Sequence, residues 1–142
     1  MKHIEVKNLW EGLNILVEYI SKNKIKNTYL NYGLKKNARI LERATKLIQD
    51  SISEELIALE KKAYSAGEDL VKDLEDKTNA YQLGFATLTE EEKELHTTLA
   101  KEYNEFLQKE SDVTLYMLDL EEVKHTEMEF QPSSILENFI KE

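Results

Sequence analysis

The sequence predicts a mainly α fold: an antiparallel, coiled-coil-like helical hairpin bundle, closed by a short C-terminal β-ribbon and a terminal helix. Three observations lead there. Only four Gly and one Pro occur in 142 residues, too few turn formers for a chain of many short strands. Lys, Glu and Leu, all good helix formers, dominate the composition. Apolar residues recur at spacings of three and four along most of the chain before Asp112.

The opening helix is expected over about Lys7 to Lys22, with Leu9, Leu13, Leu16, Val17 and Ile20 on one face and Trp10 beside them. Ser21-Lys22-Asn23-Lys24 breaks that pattern, and Asn27-Thr28 offers the next cap. A long helix is then expected from Thr28 to Ser65. Leu34, Leu41 and Ile48 form one series on it, with a companion series through Asn37 or Ala38, Ala44 or Thr45, and Ile52. After Ile52 the stripe slips by one residue to Leu56, Leu59 and Ala63, the drift expected of a nearly straight helix. Gly33 marks either a later start or the close approach of a neighbouring backbone.

Gly67 is the expected stop of the long helix. Glu68 to Thr78 reads as a short helix with Leu70, Val71 and Leu74 inside, and Asn79 to Phe85 as a loop or hairpin tip. Thr89-Glu90-Glu91-Glu92 is a capping box. The helix it starts, ending near Ser111-Asp112, carries Leu95, Leu99, Tyr103, Phe106 and Leu107. Its expected partner is the long helix, through Leu34, Leu41 and Ile48. Beyond Asp112, Val113 to Leu118 and Glu127 to Phe130 read as two short strands. Asp119 to Val123 is a turn or one helical turn between them, and Pro132 starts a last helix with Ile135, Leu136, Phe139 and Ile140 inward. Residues 1–142 are read as one domain, 1–112 the hairpin bundle and 113–142 the strand-turn-strand-helix tail.

Nothing in the sequence points to catalysis. There is no Cys, so thiolate nucleophiles, disulfides and thiolate metal sites are excluded together. The glycines are isolated and build no phosphate loop. His3, His96 and His125 lie far apart. His125 follows Glu122 by three, but a metal site of this kind needs such a pair on each of two helices. The acids of Glu90 to Glu94 suit a solvated helix start better than acid–base chemistry. The expectation is a non-enzyme with no cofactor and no metal. With no signal-like leader and no apolar run long enough for a membrane span, a cytoplasmic location and no membrane partner are expected.

Charge is the distinctive feature. Residues 1–49 hold ten of the 19 basic and four of the 28 acidic residues, a local balance of +6; the remainder of the chain carries −15. Between Lys22 and Lys46 only Glu42 opposes Lys22, Lys24, Lys26, Lys35, Lys36, Arg39, Arg43 and Lys46. Lys24, Lys26, Lys35, Lys36, Arg39, Arg43 and Lys46 are the candidate partner-binding residues. Tyr29 and Tyr32 lie among them, so stacking and phosphate contacts with nucleic acid are one reading. An overall pI of about 5.0 and only two arginines in the chain weigh against it. The third possibility is that the basic half simply neutralises the acidic half.

The order of these features resembles a family of small helical phage and prophage proteins of unassigned function. The resemblance is carried by Leu9-Trp10-Glu11-Gly12-Leu13, by Leu34-Lys35-Lys36-Asn37 with Arg39-Ile40-Leu41-Glu42, and by Asp112-Val113-Thr114-Leu115. It continues through Leu118-Asp119-Leu120-Glu121 and ends on Pro132, Ile135, Leu136, Phe139 and Ile140. It implies a phage-encoded protein-interaction protein, either a virion or assembly component or an inhibitor of a host defence complex, acting in the host cytoplasm or the virion. The partner is then a host or virion protein, with nucleic acid as the alternative. Long apolar stripes in so small a chain also raise the prospect of a homodimer.

Overall fold

The computed structural model describes residues 1–141. It contains α1 (His3–Lys22), α2 (Thr28–Asp50), α3 (Glu54–Val71), α4 (Ala80–Ala86), α5 (Glu90–Leu107), α6 (Leu120–Val123) and α7 (Phe130–Glu137). Among the described residues there is no sheet, only isolated bridges at Lys2–Glu110 and Leu118–Ile140. The mainly α class therefore holds and the β-ribbon does not. The chain divides into two compact units, one of Met1–Asp50 with the chain from Gln108 on, the other of Ser51–Leu107.

In the first unit α1 and α2 form a hairpin across Asn23–Asn27. Val6, Leu13, Leu16 and Ile20 of α1 are buried, as are Leu30, Leu34, Leu41 and Ile48 of α2. Asn27 caps α2 by accepting from the Leu30 N–H at 3.1 Å. The N-terminus is tied down in the same unit: Ser111 N–H donates to the Met1 carbonyl at 2.7 Å and His3 N–H to that of Lys109 at 3.0 Å.

The tail runs over the inner face of α2 instead of pairing with itself. Asn37, fully buried, donates from Nδ2 to the Tyr116 carbonyl and accepts from the Tyr116 N–H, each at 2.7 Å. One side chain thus supplies the pairing a neighbouring strand would have given to residue 116. Leu118 packs onto Gly33, where a Cβ would collide with its side chain. What approaches Gly33 is thus a side chain and not the backbone that was expected, and the helix starts before it. Farther on, Asn27 Nδ2 donates to the Glu122 carbonyl at 2.9 Å. A two-stranded ribbon is marginal alone, and α2 offers segment 113–118 a better partner. Segment 127–130 forms no strand, and Phe130 already belongs to α7. Asp119–Val123 does contain the single helical turn that was expected.

The second unit departs further from expectation. The helix over Thr28–Ser65 is broken at Ser51–Ser53, and Ser53 takes the N-cap position of α3, with Glu54 and Glu55 in its first turn. The slip of the apolar stripe after Ile52 marks this break. Ser and Asp at 50–53 favour caps and turns over helix interiors. Helix α3 then runs through Gly67 to Val71, because Gly67 is a packing surface and not a stop. Ala63 and Gly67 on α3 meet Ala80 and Gly84 on α4, each pair one turn apart. A Cβ on Gly67 would overlap the Ala80 carbonyl, and one on Gly84 the Ala63 carbonyl. The segment read as a loop is thus a helix docked backbone to backbone. Val71 is buried, while Leu70 and Leu74 are exposed. Asp76 and Thr78, paired through their side chains, form the turn between α3 and α4, which lowers the Asp76 pKa.

The capping box forms as expected. Glu92 N–H donates to Thr89 Oγ1 at 3.1 Å and Thr89 N–H to Glu92 Oε1 at 3.0 Å. Lys62 Nζ also reaches Glu92 at 2.7 Å, and these partners hold its carboxyl below the usual carboxylate range. Their contribution to stability is present at neutral pH and fades as acid protonates Glu92. Helix α5 packs on α3, ends at Leu107, and buries Leu107 while leaving Leu95 exposed. The pairing that forms is α1 with α2 and α3 with α4, in place of one hairpin built on Leu34, Leu41, Ile48, Leu95, Leu99 and Phe106.

Gly84→Ala is expected to cost at least about 2 kcal/mol, because the methyl group must force the α3–α4 backbones apart. Urea denaturation followed by circular dichroism checks this. A variant as stable as the natural chain would contradict the close crossing.

Candidate functional site

Lys35, Lys36, Arg39, Arg43 and Lys46 project from α2 on the side opposite Leu34, Asn37, Leu41 and Ile48, and all five are exposed. Helical spacing sets this arrangement: residues separated by three or four share a face. From Tyr32 to Lys46 the face extends about 20 Å at the usual helical rise. Glu42 is the one acid among these cations in α2. Lys24 and Lys26, also exposed, belong to the α1–α2 connection. The structure thus brings all seven predicted residues to the surface of the first unit.

None of the seven takes part in an ion pair among the described residues; the pairs that form use Met1, Lys62, Lys93, His96, Lys124 and Lys141. Intramolecular neutralisation of the basic segment by direct contact is therefore not what the side chains do. Lys36 is the exception to free solvation. Its Nζ sits 4.7 Å from the Tyr116 ring centroid and 5.7 Å from that of Tyr32. The two rings meet edge to face at 5.6 Å. Tyr29 and Tyr32 are exposed at the N-terminal end of the face.

Beside this face lies an open cleft of about 420 Å³ between the end of α1 and the start of α2. Val17, Ile20, Ile25 and Leu34 make its apolar floor, and Lys24, Lys26 and Lys35 stand at its rim. Such a site suits an apolar group carried between negative charges. The sequence identifies the rim but not the floor, which depends on how α1 turns into α2.

That turn is unusual in one respect. Helix α1 ends in a Schellman motif, with Ile25 N–H donating to the Ile20 carbonyl at 3.1 Å and Lys24 N–H to the Ser21 carbonyl at 3.2 Å. The motif requires left-handed backbone at Lys24, whose φ is 52°. Glycine is the usual residue there; a side chain costs about 1–2 kcal/mol.

Chemistry-bearing residues elsewhere are tethers. In the second unit Glu60 Oε1 accepts from the Tyr81 hydroxyl at 3.0 Å and contacts His96 Nε2 at 2.5 Å. Burial and Glu60 push the Tyr81 phenol up to about 12, so at neutral pH it stays protonated and keeps its hydrogen bond. This link among α3, α4 and α5 joins residues far apart in sequence and carries no local signal. Among the described residues, no group of three or more potential metal ligands is assembled, and no helix is long and apolar enough to cross a membrane.

Comparison with protein-family models, curated proteins and solved structures finds no match.

Lys24→Gly is expected to preserve stability or raise it by up to about 1 kcal/mol, since relief of left-handed strain outweighs the added freedom of the unfolded chain. Thermal and urea unfolding test this. A loss above about 1 kcal/mol would mean that the lysine side chain itself holds the turn.

Proposed function

We propose that this is a non-catalytic protein-interaction protein that engages an acidic partner through the basic face of α2. The observation that carries the reading is that the seven cations are exposed without intramolecular ion pairs. Exposed cations clustered on one face steer an anionic partner and fix its register. The overall pI of about 5.0 and the presence of only two arginines favour protein over nucleic acid. With the phage and prophage resemblance, the partner is a host or virion protein. The chain then acts as an assembly component or as an inhibitor of a host defence complex, in the host cytoplasm or the virion.

Tyr29 and Tyr32, exposed beside the cations, support the second reading, a nucleic-acid-binding accessory protein. The two readings differ in their salt response. Phosphate contacts release counterions, so affinity for nucleic acid falls steeply as salt rises.

Replacing Lys35, Arg39 and Arg43 together by Gln tests both. The melting temperature should move by no more than about 3 °C, because the variant removes no ion pair. Capture of the partner from infected-host lysate should fall at least tenfold and be unaffected by nuclease. Nuclease-sensitive capture would favour the second reading. Undiminished capture by the triple variant would eliminate both.

A further inference from the structure

The cleft at the end of α1 has a complement elsewhere in the same unit. Phe130 is 88% exposed, more than any other large apolar side chain among the described residues. It does not hang from a loose loop. It opens α7, whose Pro132 is buried, and the preceding Glu129 N–H donates to Tyr19 Oη at 3.1 Å. Ser133 N–H closes the first turn on the Glu129 carbonyl at 3.1 Å. The ring is therefore presented from a fixed platform. On either side of Met128 stand Glu127 and Glu129, both exposed and in no ion pair among the described residues.

An aromatic ring accompanied by two carboxylates matches a cleft with an apolar floor and three lysines at its rim. We propose that a second copy of this chain fills the cleft: Phe130 enters over Val17, Ile20, Ile25 and Leu34, while Glu127 and Glu129 meet Lys24, Lys26 and Lys35. Every copy carries both the knob and the cleft, so the contact is made twice about a two-fold axis, residue for residue reciprocal. Both parts lie at the same end of α1: Tyr19 positions the knob, and Val17 and Ile20 line the cleft. Aromatic anchors seated in pockets carry much of the affinity at such interfaces, and rim charges set the register. With two rings and a few exposed ion pairs as its main contacts, the dimer is a micromolar one that weakens as salt rises. It goes beyond the reading of the α2 face and leaves Arg39, Arg43 and Lys46 outside the contact.

Sedimentation equilibrium at about 50–100 μM decides the matter, a range that populates a micromolar dimer. The natural chain should sediment mainly as a dimer, and Phe130→Ala, a change at an exposed position, should be monomeric with an unchanged melting temperature. Two charge variants give the sharper test. Lys24→Glu with Lys26→Glu makes both cleft and knob acidic; Glu127→Lys with Glu129→Lys makes both basic. Each alone should be monomeric, and an equimolar mixture should form heterodimers, because both contacts then join opposite charges. A natural chain that is monomeric throughout, as it would be were the cleft reserved for a foreign protein, overturns the proposal. So does a Phe130→Ala variant that dimerises as before, or a mixture that stays monomeric.

Discussion

Asn37 sits fully buried on α2 with both halves of its carboxamide engaged by the backbone of Tyr116, at 2.7 Å each. A buried amide is tolerated only when its hydrogen bonds are made. The two groups it satisfies would otherwise be an orphaned N–H and C=O in a segment with no strand beside it. The pairing fixes where the tail meets α2. Leu118 then falls on Gly33, and the Asn27 side chain takes the Glu122 carbonyl. Asn37 and Gly33, about one turn apart on α2, and Asn27, just before the helix, thus hold the tail from residue 116 to residue 122. Leu118 in turn bonds through its backbone to Phe139 and Lys141, which brings the end of the chain to the same place.

The consequence is a division of α2 into two faces. Its apolar side is consumed inside the unit, by α1 and by the tail. Its other side retains Lys35, Lys36, Arg39, Arg43 and Lys46 in solvent. Lys36, held against Tyr32 and Tyr116, joins the two faces at the point where the tail crosses. Just beyond the end of α1, Lys24 occupies a left-handed position that glycine would fill with less strain.

Much of this was legible in the sequence wherever the signal was local. The capping box at Thr89 and Glu92 formed as its spacing indicates; of the α1 stripe Leu13, Leu16 and Ile20 are buried while Val17 is exposed, and Leu136 and Phe139 are buried although α7 ends before Phe139. The exposure of the five cations on α2 also follows from spacing, since Leu34, Leu41 and Ile48 oblige the opposite face to be wet. What failed depended on partners distant in sequence. A slip of one residue after Ile52 is compatible with both drift and a break, and Ser53, at the N-cap position of α3, makes no side-chain capping bond that would mark the break. Gly67 signals a stop unless another small residue crosses it, and Gly84 does. The β-forming segment Val113 to Leu118 is extended, but its partner is a side chain on a helix, which no alternation pattern reveals. The cleft floor and the exposure of Phe130 are likewise products of tertiary arrangement.

The tail is docked on α2 through Asn37 and leaves the basic face of that helix in solvent. Amide hydrogen exchange at Tyr116 and Leu118 tests it most directly, because neither residue lies in a helix or sheet. The account predicts that both amides are protected to nearly the same free energy as the interior amides of α2, opening only when the unit unfolds. Exchange of the Tyr116 amide at the rate of an unstructured peptide, with α2 still protected, would contradict it.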